Sequence, residues 1–209
     1  IDYMGEIDTA VLQLENETKV DFSNVRKTTL YKYAKIMSKD SVIQELRTVC
    51  NKKESKDDVL KYISAPTRLE FLTSIALVQH FNGLDVNPNY AVDDEGLPTF
   101  TASGGMADIE CFDNDYDSYF EVTLMCGRQD QVNNEIIPIG RHLREVKASR
   151  REESFSVFIA PIIHEDTKEA ADWQKFKYKI DILTFSIEEF INAVCEKTKA
   201  SDLLIAIGV

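Results

Sequence analysis

Two acids, Asp108 and Glu121, each stand inside a run of otherwise strand-forming residues, over 107–112 and 118–124. Alternation along the second run puts Tyr119, Glu121 and Thr123 on one face and Phe120, Val122 and Leu124 on the other. If the runs pair as a hairpin with a four-residue loop, Phe112 opposes Asp117 and Asp108 falls opposite Glu121. Directly paired residues carry Cβ atoms about 4.5–5.5 Å apart. Two carboxylates that close repel unless a cation or a shared proton lies between them. A hard divalent ion such as Mg²⁺, which demands oxygen ligands, is the natural occupant. The other acids of the hairpin, Asp113, Asp115 and Asp117, fall where a turn favours Asp and need no further role.

Three more features bear on this pair. Glu70 fits a capping box, Thr67-Arg68-Leu69-Glu70, with Pro66 at the entry. It also lies on the most apolar helix of the chain, residues 66–82, where a buried Glu needs a partner that a metal on Asp108 and Glu121 would supply. Glu135 and His142 are two helical turns apart and share a face of the next helix, 130–149. That helix carries the densest basic run, Arg141, Arg144, Lys147, Arg150 and Arg151 against Glu145 alone. It is a solvated face, or a phosphate-backbone contact through Arg141, Arg144 and Lys147.

The elements that must position these groups follow from periodicity. Residues 1–63 read as a helical lobe or linker: a short amphipathic helix through Ile7, Val11 and Leu14, two helical segments over 28–50, and a polar turn at 51–58. From residue 64 the order is helix, three strands, helix, strand, helix, strand, helix. The first strand, 85–92, contains Pro88 and reads as an edge. Pro138 should kink the 130–149 helix or mark its true start. Strands over 156–163 and 180–185 alternate with helices over 168–178 and 187–197. This predicts an α/β fold, a mixed central sheet flanked by helices with an N-terminal helical lobe.

Composition bounds the rest. At 209 residues the chain is one large domain, or a domain with an added lobe. Eleven Phe and eight Tyr against eight Gly and five Pro exclude a disordered chain. No apolar run approaches the roughly 18 residues of a membrane span. The four cysteines have no zinc-site spacing and no signal peptide is visible, so reduced thiols in a cytoplasm are expected. A net charge of −12 argues against a stand-alone nucleic-acid binder, though not against a local basic patch or a partner that holds the DNA. The chain opens at Ile1, as a fragment or processed product would.

Asp108, twelve residues, then Glu121-Val122-Thr123 resembles the PD-(D/E)xK nuclease motif, which takes its metal ligands from two adjacent strands. The longer series Ala65-Pro66-Thr67-Arg68-Leu69-Glu70, Gly104-Gly105-Met106-Ala107-Asp108-Ile109-Glu110, Phe120-Glu121-Val122-Thr123 and Asn133-Asn134-Glu135-Ile136-Ile137-Pro138-Ile139-Gly140-Arg141-His142-Leu143 resembles the AlwI-type family of type IIS restriction and nicking endonucleases. The likeness covers residues 64–165. It implies a restriction-endonuclease-like core over 64–209 and a Mg²⁺-dependent cleavage of double-stranded DNA, with Mn²⁺ able to substitute. It implies a metal site of Glu70, Asp108, Glu121 and the Val122 carbonyl, with Glu135 and His142 as further catalytic positions. Thr123 stands where most such nucleases place Lys, so His142, a second ion or Arg128 is expected to take that task. Larger members of the family precede the nuclease with DNA-recognition domains. The resemblance therefore implies a cleavage domain or small subunit that works with a recognition domain or large subunit, with dimerisation of cleavage domains a further option. A nuclease-like scaffold and a structure-specific DNA nuclease are the alternatives.

Overall fold

A computed structural model of the chain describes residues 22–205. The helix expected through Ile7, Val11 and Leu14 lies outside the described residues. The fold is a mixed α/β one, as expected. A five-stranded sheet runs in the order β1 (Asp85–Pro88), β4 (Ile109–Phe112), β5 (Asp117–Val122), β6 (Ser154–Ala160), β7 (Asp181–Ser186). The first three strands pair antiparallel and the last three parallel. β1 is the edge that Pro88 predicted. The expected 85–92 strand is in fact broken: β2 (Ala91–Val92) leaves the main sheet and pairs with β3 (Pro98–Phe100) in a separate hairpin. The break frees Asn89 to bond the chain ahead of β4, its N–H to the Asp108 carbonyl and its side-chain amide to the Ala107 carbonyl, both at 2.8 Å.

The period-2 pattern sorts β5 onto two cores. Phe120 and Val122 join Val157, Ile159 and the helix α3 (Ala65–His80) on one face. Tyr119 joins Phe158, Ala160 and Ile182 on the other, under α4 (Ile137–Ser149) and α5 (Glu165–Tyr178). Helices α1 (Phe22–Ile36) and α2 (Lys39–Cys50) bury Leu30, Val42, Leu46 and Val49 in the same core as α3 and the sheet. A last helix, α6 (Ile187–Glu196), is closed by a capping box at Ser186 and Glu189. Among the described residues no helix is long and apolar enough to cross a membrane, and the four cysteines are unpaired.

Two local expectations need correction. The α3 cap is Ser64, not Thr67, and neither hydroxyl caps a backbone N–H; they bond each other at 2.8 Å. Starting the helix three residues earlier moves Glu70 from the first turn into the helix body, where it is 3% exposed. Glu70 therefore is not a capping glutamate. The helix expected over 130–149 is a composite. A short turn, Arg128–Asp130, leads into a π-helical stretch, Gln131–Ile136, and α4 begins just before Pro138. Proline lacks an N–H, and the turn before it widens so that the Ile137 N–H reaches the Val132 carbonyl.

Candidate active site

The hairpin forms in the expected register, Phe112 opposite Asp117 through Ile109 opposite Phe120. Asp108 lies one residue before β4, facing the end of β5, and the two chains bond there through side chains. The Asp108 carboxylate accepts the Val122 N–H at 2.8 Å, and the Asp108 N–H faces the Glu121 carboxyl and opposes its upward shift. Glu70 reaches the same place from α3, its Oε2 accepting the Ala102 N–H at 3.0 Å. Glu135 lies on the π-helical stretch, and the Thr123 hydroxyl holds its carboxyl down against the effect of burial. Helix, hairpin and π turn thus bring four carboxyls to the carboxyl end of β5.

Their electrostatics mark one cluster. Burial pushes Glu70 up to about 8, with Asp108 adding repulsion and the Ala102 N–H opposing. Burial pushes Asp108 up to about 7, with Glu135 adding and the Val122 N–H opposing. Glu121 lies well above the usual carboxylate range, through burial first and then through Asp108, Glu135 and Glu70. Burial also raises Glu135, and the Thr123 hydroxyl restrains it. No lysine or arginine acts on any of the four among the described residues. A set of carboxyls that raise one another is what a hard cation or retained protons would relieve. Among the described residues, no three side chains of His, Cys, Asp or Glu converge into a ready-made metal cage. Carbonyl, water or phosphate oxygens would have to complete any coordination shell.

The other expected site residues are placed differently. His142 packs its ring edge-on against Tyr119 at 5.9 Å between centroids, and it is not among the groups acting on the four carboxyls. Tyr119 and Thr123 share a face of β5 about 13 Å apart. Glu135 and His142 thus meet the strand at separate points. Arg144 donates to the Gln174 side chain at 3.0 Å and stacks over the Tyr178 ring at 4.1 Å. Lys147 donates to the carbonyls of Glu152 and Ser154. Arg141 alone of the three is exposed. Arg128 pairs with Asp166 at 3.0 Å. The residue pattern missed Asn89 and Ala102, which brace Asp108 and Glu70 through backbone groups, and Gln131, which falls at the start of the expected 130–149 helix with no signal to single it out.

The family model described as AlwI restriction endonuclease matches residues 3–194 of the chain. No curated protein matches it. Among solved structures, the small subunit of the heterodimeric restriction endonuclease R.BspD6I superposes with a TM-score of 0.60 at 19% identity. The match covers 75% of this chain and 77% of that one. At that identity the likeness is one of fold.

Proposed function

The chain belongs to the AlwI restriction endonuclease family, and from that membership we propose that it is the cleavage domain or subunit of a type IIS restriction or nicking enzyme. It hydrolyses a phosphodiester of double-stranded DNA with Mg²⁺, which Mn²⁺ can replace. The observation that carries this is the carboxyl cluster: buried Glu70 and half-buried Asp108, Glu121 and Glu135, with no basic side chain acting on them among the described residues, at the strand ends where the sequence put a metal pair.

The donor set fits a hard cation in its chemistry, all oxygen and mostly anionic. Asp108, Glu121 and the Val122 carbonyl would hold it, with Glu70 beside them. When bound, Mg²⁺ supplies Lewis-acid stabilisation of the phosphate and lowers the pKa of water. The protein's own groups do the rest. The Ala102 and Val122 N–H groups fix Glu70 and Asp108, so neither swings away from a phosphate. The attacking water gives its proton to His142 or Glu135 as its oxygen bonds phosphorus and the P–O3′ bond breaks; the departing O3′ takes a proton from solvent water, leaving a 5′-phosphate and a 3′-hydroxyl. His142, packed against Tyr119, is the residue assigned to orient the attacking water or take its proton. The fold neighbour is by name the small subunit of a heterodimer. We extend that arrangement to this chain, with recognition supplied by another domain or subunit.

Glu121→Ala tests the assignment. Plasmid cleavage by the chain joined to its recognition partner should vanish, with the melting temperature of the chain kept or raised. Undiminished cleavage by that variant would sink it. A second proposal, an inactive nuclease-like scaffold, draws on Thr123 in the lysine position and on the lack of a preformed cage. It predicts that the assembled enzyme cuts equally well with Glu121→Ala.

A further inference from the structure

Helix α1 carries four cations, Arg26, Lys27, Lys32 and Lys35, and no acid, in a chain of net charge −12. One face turns inward: Thr29 and Leu30 are buried, and the Gln79 amide donates to the Ala34 carbonyl at 3.0 Å. The opposite face is open. Lys27, Tyr31 and Lys35 follow one another at helical spacing, and with Thr28, Lys32 and Ile36 they line a surface groove of about 550 Å³. Lys32 and Lys35 are exposed and make no ion pair among the described residues. A second groove, of about 340 Å³, shares Lys27 with the first and runs past Arg26 to Pro88 and Asn89. Arg26 donates to the Tyr90 carbonyl at 2.6 Å, and the Asn89 N–H bonds the Asp108 carbonyl. The open face of α1 is thus continuous with the segment that braces the carboxyl cluster. Two acids line the second groove, and each faces a cation, Asp85 with Lys27 and Glu110 with Arg150.

We propose that the open face of α1 is a docking surface for the phosphate backbone of duplex DNA flanking the bond that is cut. The inference rests on the proposed nuclease function, which puts a duplex at the carboxyl cluster. From Lys27 to Lys35 the helix advances about 12 Å. A duplex carries one phosphate per about 3.4 Å of axis on each strand, so this face runs alongside roughly three phosphates of one strand. Lysine is a compact, mobile point charge, suited to holding a backbone without reading bases. A protein partner would instead call for a desolvated apolar centre, and the lining's one exposed large hydrophobic side chain is Ile36.

Fluorescence anisotropy of a short labelled duplex is followed as the full, metal-free chain is added, at salt concentrations from about 20 to 80 mM, where phosphate contacts are strongest. Lys32→Gln combined with Lys35→Gln should weaken binding more than about tenfold at the lowest salt. It should also lower the salt slope by about two, since each phosphate contact contributes about 0.9. Lys168→Gln combined with Lys177→Gln, an equal loss of charge on α5 across the sheet, should leave the slope unchanged. All four lysines are exposed, so both variants should melt as the wild type does. A wild-type slope in the α1 variant, or an equal fall in the α5 variant, overturns the docking surface. So does displacement of the duplex by poly-glutamate as readily as by unlabelled duplex, which assigns the face to an acidic protein. Plasmid left uncut by the wild-type chain joined to its recognition partner overturns the proposed function, and this inference with it.

Discussion

Four carboxyls that raise one another make the cluster expensive to ionise, and pH should expose that cost. The folded-state values of Asp108 and Glu70 rise from 3.8 and 4.5 to about 7 and 8, with Glu121 raised well above 4.5. Between those limits the folded chain keeps protons that the unfolded chain releases. Their stabilisation is therefore full at the acidic end and lost as pH rises through 7 to 8. With a chelator present, the melting temperature should fall between pH 5.5 and 8.5, and millimolar Mn²⁺ should flatten that fall. Glu121→Gln removes one of the repelling charges, so it should raise the melting temperature at pH 8 by a few degrees. A melting temperature that climbs with pH in the chelated wild type would contradict the cluster's electrostatics. At this scale much was legible. Asp108 and Glu121 could be paired because strand alternation and a four-residue loop leave one register. Glu70 was half legible: its burial was, but its cap was assigned three residues late, because Ser64 and Thr67 are both plausible caps. The Thr123–Glu135 contact was not legible, since it joins a strand end to a helix whose pitch changes between them.

The helices and the hairpin show where periodicity carries and where it fails. The stripe Ile136, Ile139, Leu143 and Val146 was read from sequence, and all four are buried under the sheet. The basic run beside it could not be read the same way, because charge density does not say what a side chain faces. Arg151 bonds the Asp113 and Asn114 carbonyls and pairs with Asp117 at 3.2 Å, so it clamps the hairpin that carries Asp108 and Glu121. The Asp117 side chain is 12% exposed. Arg151→Ala leaves that carboxylate buried and uncompensated, which should cost about 2–3 kcal/mol in a denaturant titration. A loss no larger than that of an ordinary surface pair would show the clamp to be idle. Arg144 and Lys147 are likewise occupied within the molecule, whereas Arg141 points to solvent. Arg144→Ala should lower the melting temperature. If α4 meets the DNA backbone, Arg141→Ala should leave the melting temperature alone and reduce the salt slope of DNA binding by the assembled enzyme by about one. The π turn had no signal beyond Pro138, because the residues that impose it, Gln131, Thr167 and the Ile162 carbonyl, come from three separate segments.

The whole molecule sets the terms on which this site can act. A fold of restriction-endonuclease type places its carboxyls at the open ends of the parallel strands, yet the chain carries a net charge of −12. Much of its nearby positive charge is spent internally, with Arg150 facing Glu110, Arg151 facing Asp117 and Arg128 facing Asp166. Affinity for a duplex comes mainly from neutralised phosphates and the counterions they release, so a chain with this excess of negative charge should grip DNA weakly by itself. On the proposed function, a four-acid site would also repel its phosphate until a cation entered. Both features favour delivery by a recognition partner over independent search. Fluorescence anisotropy with a labelled duplex decides the matter. The isolated chain should bind more weakly than about 10⁻⁴ M at physiological salt, the weak end of non-specific binding. Millimolar Mg²⁺ should strengthen that binding by bridging carboxyls and phosphate, and Glu121→Ala should abolish the gain. Joined to its recognition partner, the chain should bind tightly whether or not Glu121 is present, because the partner then supplies the phosphate contacts. Micromolar binding by the isolated, metal-free chain would mean that the surface holds DNA unaided, and that the net charge conceals a patch strong enough to do so.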